Sequence, residues 1–537
     1  MTKIETREQL IETLNNVAEV EHKFMCIYLY AAFSLKKNPD ESCDAAKLEA
    51  VRRWTSKIYM IARQEMEHLS LVNSLLAAIG APPYFARTNI YIENLNDQIE
   101  YTLEEDQKVL ADESLSTSKL QRQRRQAQSK QDSSITSTSD EIPTARYQSD
   151  PEEDNKPCEF PFIFEPFDLK SARRYVCMES PKLFHLLNLP KELQEDVENW
   201  CFQDQDGKCN FCWSGELPKG TKEEEAGIGT IETLYDELRE GFKRVAENDN
   251  SLFVSSQNRH QVEILSEYNV YIFPVTDLTS ALNAIDLITK QGEGLINASP
   301  DFNSHFQNFY NIAKEYEKLT GGDAQNKFAI LPVPRNPNRE DIQNELTKEI
   351  FNLFNYSYVT LLYVLTGLYW RYKPASEEKD YPHLSAALRE IAFAPTMTML
   401  VRSLGEVLVQ LPLDQDLNHV AAPNFYISDE EKKQLEIYAS EDKNQLEECY
   451  TNIEFYLKRF EEIENALKSN DQEKPGIIDN LNNESYVNET LQCFKNKQKL
   501  EAIKKQLEYI YQNVYRLTGN LRKIYQTGVY SKFKTFS

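Results

Sequence analysis

The chain has 537 residues, of which 41% are hydrophobic, enough for two or three domains with a sizeable core. Its formal net charge is −25 and its pI is about 4.9. Nucleic-acid binding requires clustered Lys and Arg residues, so this charge balance argues against a nucleic-acid partner. An acidic chain suits metal cations better than anionic partners.

Nine cysteines in so long a chain are too few for a disulfide scaffold, which favours a reducing cytoplasm. The first residues carry no apolar stretch typical of a signal peptide. Residues 350–370 are uncharged and long enough to span a bilayer. Their Asn, Thr and Tyr content favours a helix buried in a soluble core, so we expect no membrane partner.

Apolar residues recur at three- and four-residue steps from Thr6 to Lys36 and from about Ala45 to Ile79, which predicts two long helices. In the second helix Glu65 and His68 lie three residues apart, so both side chains leave the same face. A carboxylate and an imidazole placed in this way can bind one metal ion. Glu21 lies close to the apolar stripe of the first helix, where a carboxylate is costly unless it is paired or binds metal.

The Glu65–His68 pair is also compatible with a simple ion pair on a helix surface. A di-iron site in a helical bundle needs further helical carboxylates and a second nitrogen ligand. Glu67 points to the other side of the second helix, and we expect it to be solvated.

The middle of the chain contains two segments with weak structural signals. Residues 115–150 are polar and almost free of aliphatic side chains, which predicts a disordered insertion in the first domain. Residues 195–220 form a cysteine-containing loop. Cys201, Cys209 and Cys212 could bind structural zinc, but the lack of an evident fourth ligand argues against such a site.

Two further helices are predicted at Ile228–Val245 and Leu278–Gln291. Glu232 lies in the first of them at a position that allows it to face inward. Glu293 follows the second, and His305 begins another helix twelve residues later. Taken alone, Glu293 could be a loop carboxylate and His305 an ordinary histidine at a helix start.

Long apolar helices are predicted from Glu340 to Leu411, with a break near Pro395. From about residue 429 the pattern changes to a heptad-like alternation, which predicts a helical coiled-coil region at 429–537 behind a first domain at 1–428. Its two helices could form a hairpin or pair with another subunit of a homo-oligomer. The seam of the last helix consists of Leu500, Ile503, Leu507, Ile510, Val514, Leu517, Leu521 and Ile524.

Several motifs occur in an order that is typical of one family. They are Val20-Glu21-His22 with Tyr28-Leu29-Tyr30-Ala31, Glu65-Met66-Glu67-His68-Leu69, the stretch from Asn73 to Gly80, Gln291-Gly292-Glu293-Gly294, and Ser304-His305-Phe306 with Phe309. Together they resemble the ferritin-like domain of the iminophenyl-pyruvate dimer synthases, known from violacein biosynthesis. The resemblance covers roughly residues 8–425.

The resemblance implies a mainly α fold, in which a ferritin-like helical bundle carries added helices and the C-terminal helical region. It also implies an iron site with one or two ions per chain. The implied metal ligands are Glu21, Glu65, His68, Glu232, Glu293 and His305. The third bundle helix departs from the family, because Thr233 falls where the family has its carboxylate and Glu232 or Asp236 would have to replace it.

The activity implied by the resemblance is iron-dependent oxidation or coupling of an aromatic amino-acid-derived imine by O₂. Carboxylates and imidazoles without thiolates suit Fe(II). Two other classes of function are also compatible with the sequence. One is an iron-binding protein without turnover, and the other is an oligomeric assembly protein with a degenerate bundle. No catalytic residue beyond the ligands is predicted.

Overall fold

The structure is a computed structural model of the chain. It describes residues 3–40, 42–90, 162–181, 190–201, 231–254, 262–265, 270–292, 304–370, 388–414, 419–439, 453–469, 471–494 and 496–527. The described residues are mainly α-helical, as expected. Two short strands, β1 (Ile264–Leu265) and β2 (Tyr271–Ile272), pair in an antiparallel ladder.

The two longest helices of the N-terminal half pack against each other along much of their length. Helix α1 covers Arg7–Ser34 and begins at a capping box, in which Thr6 accepts a hydrogen bond from the backbone of Gln9. Helix α2 covers Ala45–Ala78 and ends before Gly80, whose φ of +74° suits a residue without a side chain. Both helices were predicted within two residues at each end.

Shorter helices surround this pair and complete the part of the fold that carries the candidate site. They are α3 (Leu169–Met178), α4 (Lys191–Cys201), α5 (Ile231–Asn248), α6 (Leu278–Gly292) and α7 (His305–Thr320). Helix α5 packs against α1 and α6, and α6 also packs against α2. Helix α3 packs against both α4 and α7.

Helix α8 (Glu345–Trp370) contains the uncharged stretch at 350–370, and most of its side chains are buried, as predicted. The helix that follows is not broken at Pro395. Instead, residues Ala392–Arg402 form a π-helix that continues into α9 (Ser403–Leu408). A wider helix accommodates proline because the usual bond to the missing N–H is not required there.

Among the described residues, the stretch Leu388–Leu408 has the length and apolar composition to cross a membrane, and half of it is buried. Apolar helices in the core of a large protein share these properties.

The C-terminal helices fold back on one another. They are α10 (Asp429–Ala439), α11 (Ile453–Leu467), α12 (Ile477–Asn480), α13 (Glu484–Phe494) and α14 (Lys497–Thr527). Arg522 pairs with Glu461 at 2.7 Å, whereas Lys468 lies over the ring of Tyr511. Glu461 within α11 thus meets the later residue of α14, and Lys468, directly after α11, meets the earlier one, so the two helices form an antiparallel hairpin.

This hairpin also packs onto the rest of the fold. Arg459 in α11 pairs with Glu431 in α10 at 3.2 Å and lies 4.7 Å from the ring of Tyr363 in α8. Helix α14 packs against the π-helix and α9. A domain boundary at 428 and pairing with another subunit stay predictions.

The described residues contain one disulfide, although the cysteine count argued against a disulfide scaffold. Cys177 at the end of α3 and Cys201 at the end of α4 form a disulfide with a Cα–Cα distance of 5.5 Å. Cys201 is therefore unavailable as a zinc ligand, and Cys209 and Cys212 lie outside the described residues. The segments predicted as a disordered insertion (115–150) and as most of the cysteine-containing loop (195–220) also lie outside them.

The packing of α1 against α9 can be tested at Gly405. A Cβ atom at Gly405 would lie 2.7 Å from the ring of Phe33, so Gly405→Ala should lower the free energy of unfolding by about 1–3 kcal/mol. Gly519 in α14 is a matched control with nothing within 4 Å. Gly519→Ala should be stabilising by about 0.5–1 kcal/mol. Thermal unfolding gives the comparison, and an unchanged midpoint for Gly405→Ala would contradict the packing.

Candidate metal centre

Helices α1 and α2 bring three predicted ligands together in the core. His68 Nδ1 lies 3.2 Å from Glu65 Oε2 and 3.3 Å from Glu21 Oε2. All three side chains are buried, and one ligand atom from each lies within 4.8 Å of the others. The three-residue spacing in α2 and the inward position of Glu21 in α1 therefore produce the arrangement expected from the sequence.

A second group forms around the other oxygen of Glu65. His305 Nδ1 lies 2.9 Å from Glu65 Oε1 and 3.7 Å from Glu179 Oε1. Ser304 caps the start of α7, which places His305 at the first helical position and directs it towards α2. Glu179 follows the last residue of α3. Glu65, Glu179 and His305 are all buried and also meet within 4.8 Å.

The two groups share Glu65, so this carboxylate would provide a ligand to both of them if each held an ion. The imidazole rings of His68 and His305 lie nearly parallel with their centroids 5.3 Å apart. A small cavity of about 20 Å³ lies between the groups, with room for an ion or a water molecule but not for an aromatic ring. Its remaining walls are formed by Phe24, Ile231, Tyr235, Ile288, Thr289 and Gly292.

Tyrosine hydroxyls hold two of the carboxylates. Tyr235 in α5 donates a hydrogen bond to Glu21, and Tyr28 in α1 donates one to Glu179. Glu21 binds Tyr235 with Oε1 and faces His68 with Oε2, whereas the Glu179 oxygen that accepts from Tyr28, Oε1, is also the one that faces His305. These bonds restrict the orientation of the acidic groups in a site without exposed surface.

Glutamine side chains hold both imidazoles on the side away from the cavity. His68 Nε2 lies 2.8 Å from Gln291 Oε1, and His305 Nε2 lies 3.2 Å from Gln64 Oε1. Gln291 in turn donates a hydrogen bond of 3.0 Å to Glu67. The expectation that Glu67 is solvated is wrong, because Glu67 is only 1% exposed and faces the end of α6.

The remaining predicted ligands are placed differently. Glu232 in α5 is half-buried and belongs to neither of the two groups found among the described residues. Tyr235, one turn further along the helix, reaches Glu21 instead. Glu293 lies outside the described residues, although its neighbour Gly292 lines the cavity. His22, next to Glu21 in sequence, faces α8 and bonds Tyr358 at 2.6 Å.

Glu179 is a candidate ligand that was not predicted from the sequence. It has no partner at helical spacing, and its contact with Tyr28 spans 151 residues. The available signal was a single carboxylate directly after the apolar residues Val176, Cys177 and Met178. Such a residue can face the core when its helix is amphipathic. The sequence does not show, however, which other side chains it contacts there.

Comparison with known proteins agrees with this architecture. The sequence model of the Ferritin-like family matches residues 14–154 and 133–314, which together span more than half of the chain. The chain belongs to the ferritin-like family. The resemblance noted from the motifs is thereby confirmed, and so is the mainly α, ferritin-like bundle.

One similar characterised protein is the dichlorochromopyrrolate synthase of Lentzea aerocolonigenes. It is 24% identical to the ferritin-like chain over 472 residues, which cover 80% of the chain but only 37% of the synthase. The chain thus spans little more than a third of that relative. No solved structure matches the chain significantly.

The donor set of the ferritin-like site fits iron. Three carboxylates and two imidazoles provide oxygen and nitrogen ligands, and no thiolate belongs to either group of described residues. Such donors suit iron and other first-row metals of intermediate hardness. His305 Nδ1 is buried and lies within 3.7 Å of oxygens of both Glu65 and Glu179, so these three side chains can ligate one ion.

Protonation neutralises the site when metal is not bound. Burial raises the pKa of Glu21 to about 7, and the neighbouring charge of Glu65 adds to this rise. Burial would also raise the pKa of Glu65, but His305 and His68 outweigh it and hold this pKa well below its usual range.

The pKa values of the two imidazoles shift in the direction opposite to that expected from burial alone. Burial would lower the pKa of His305, but Glu65 and Glu179 raise it to about 9. Burial has the same effect on His68, and the hydrogen bonds to Glu21 and Glu65 raise its pKa well above the usual range. Both imidazoles therefore carry two protons at neutral pH, and a bound metal ion must displace one from each.

We expect metal affinity to depend steeply on pH. Because His305 loses its proton only near pH 9, Co(II) affinity should rise by at least about tenfold per pH unit between about pH 6 and about pH 9. Titration of the metal-free protein with Co(II) in non-coordinating buffers measures this slope. An affinity that stays constant over this range would show that these imidazoles do not bind the metal.

Proposed function

We propose that this ferritin-like chain is an oxidase that binds two iron ions and uses O₂ to oxidise or couple an aromatic, amino-acid-derived imine. The observation that carries the proposal is the pair of buried ligand groups that share Glu65. Burying three carboxylates and two imidazoles is costly unless their charges are neutralised. A pair of divalent cations neutralises the carboxylates and needs the imidazoles as neutral ligands.

The proposed ligands of one ion are Glu21, Glu65 and His68, and those of the other are Glu65, Glu179 and His305. Bound iron supplies electrons for the reduction of O₂. Without metal the pKa of Glu21 is about 7, so binding of an ion there would release a proton from this side chain near neutral pH.

The surroundings of the site support an apolar, aromatic substrate. Phe24, Ile231 and Ile288 line the cavity and keep water away from the ligands. The cavity itself is too small for an aromatic ring, so the substrate would bind next to it, against these apolar side chains. The similarity to a dichlorochromopyrrolate synthase supports a role in the biosynthesis of a specialised metabolite, and the substrate class is proposed by analogy.

The expected cytoplasmic location stays a prediction. Disulfides such as Cys177–Cys201 are rare in reducing compartments, so this pair does not support it. A homo-oligomer formed through the C-terminal helices also stays a proposal.

We expect protein loaded anaerobically with Fe(II) to hold about two iron ions per chain and to consume O₂ repeatedly with a suitable aromatic imine. Glu65→Ala should lose both ions because Glu65 is shared, whereas Glu179→Ala should lose one. Glu232→Ala is the matched comparison and should retain both, since Glu232 belongs to neither group. Elemental analysis and an oxygen electrode provide the two measurements.

Each alternative function gives a different result in the same experiment. Two ions with only stoichiometric O₂ consumption would identify an iron-binding protein without turnover. Unchanged iron content in Glu65→Ala would refute the site. A wild-type protein that binds no metal and loses its oligomeric state on truncation near residue 430 would favour an assembly protein.

A further inference from the structure

The hydrogen bonds of Gln291 have only one possible direction. Its side-chain nitrogen donates to Glu67 Oε1 at 3.0 Å, and this acceptor fixes the orientation of the amide. The other end of the amide must then be the oxygen, which lies 2.8 Å from His68 Nε2. An amide oxygen only accepts hydrogen bonds, so His68 Nε2 must carry a proton.

A second donor group lies beside Glu67. The backbone N–H of Tyr271 in β2 faces its carboxylate, whose Oε2 atom is buried without a hydrogen-bond partner. As a carboxylate, Glu67 presents only acceptor atoms to Gln291 and to this N–H. The order of donors and acceptors is therefore set from Glu67 through Gln291 to His68, and each of these three side chains is buried.

We propose that Glu67 and Gln291 are positioning residues that select the His68 tautomer with its Nδ1 lone pair directed at the metal site. The inference rests on the proposed metal site and adds which nitrogen binds the ion and what keeps it available. A neutral imidazole carries one proton, and placing it on Nε2 leaves Nδ1 as the donor atom. His68 Nδ1 is the nitrogen that faces Glu21 and Glu65.

The Glu67→Gln substitution keeps the size of the side chain and changes only its pattern of donors and acceptors. The new amide has one oxygen for two incoming donors, the Tyr271 N–H and the Gln291 amide. Turning Gln291 over relieves this conflict but places its NH₂ group against His68 Nε2. The neutral imidazole of His68 then carries its proton on Nδ1, where it blocks metal binding.

We expect Glu67→Gln to weaken Co(II) binding at the proposed site that contains His68 by about 10- to 100-fold. Losses of this size are typical for residues that orient a metal ligand. Gln291→Met should have a similar effect because it removes the acceptor for His68 Nε2. This second variant retains the charge of Glu67. It therefore distinguishes loss of orientation from simple loss of a negative charge near the metal.

The double variant Glu67→Gln/Gln291→Glu exchanges the two groups. The introduced amide at position 67 can accept from the Tyr271 N–H and donate to the introduced carboxylate at position 291. That carboxylate can accept a hydrogen bond from the Nε2–H of His68, so each donor has an acceptor and Nδ1 is again available. We expect the double variant to recover wild-type Co(II) affinity or exceed it.

Anaerobic Co(II) titration, followed by visible absorption, measures these affinities, and circular dichroism verifies folding. Glu12→Gln is the control, since Glu12 lies in α1 on the exposed surface. Recovery in the double variant together with loss in both single variants would support the proposal. Wild-type affinity in Gln291→Met, or no recovery in a folded double variant, would overturn it.

The His68→Ala variant separates this proposal from the metal site itself. If His68→Ala loses Co(II) binding but Gln291→Met does not, the site stands and the positioning role is wrong. If His68→Ala binds Co(II) like the wild type, His68 is no ligand and the proposed site fails. Should Glu67→Gln not fold, Gln291→Met and the double variant still decide the matter.

Discussion

The arrangement of the site depends on one carboxylate, Glu65, which faces His68 with one oxygen and His305 with the other. It lies in the core between α2 and α7, where an isolated charge would be strongly destabilising. Without metal, the two protonated imidazoles provide the compensating charge. In the proposed metal-bound state the same atoms would be ligands, so the site would exchange protons for ions without exposing a charge to the apolar core.

Much of this site could be predicted because helical spacing determines it. Glu65 and His68 are one turn apart in α2, and Glu21 lies on the inward face of α1. Glu179 and Glu67 could not be predicted in the same way, since their partners come from distant segments. Helix α5 was also predicted incompletely. Its periodicity placed acidic residues near the inner face, but Tyr235 rather than Glu232 contacts Glu21.

The C-terminal half shows the same difference between local pattern and tertiary contact. The heptad seam correctly identified the buried face of α14, including Leu507 and Leu521. It left the choice between a hairpin and another subunit open, because both bury the same face. The π-helix around Pro395 and the pairing of Cys177 with Cys201 likewise depend on neighbours that periodicity does not reveal.

X-ray absorption at the iron K-edge tests the central claim most directly, because it reports both the ligands of iron and the distance between ions. Protein loaded with two equivalents of Fe(II) should show nitrogen and oxygen ligands without sulfur. Sharing of Glu65 predicts a second iron at about 3.5–4 Å, the separation usual in two-metal sites. A sulfur shell, or no iron–iron vector in fully loaded protein, would contradict the account.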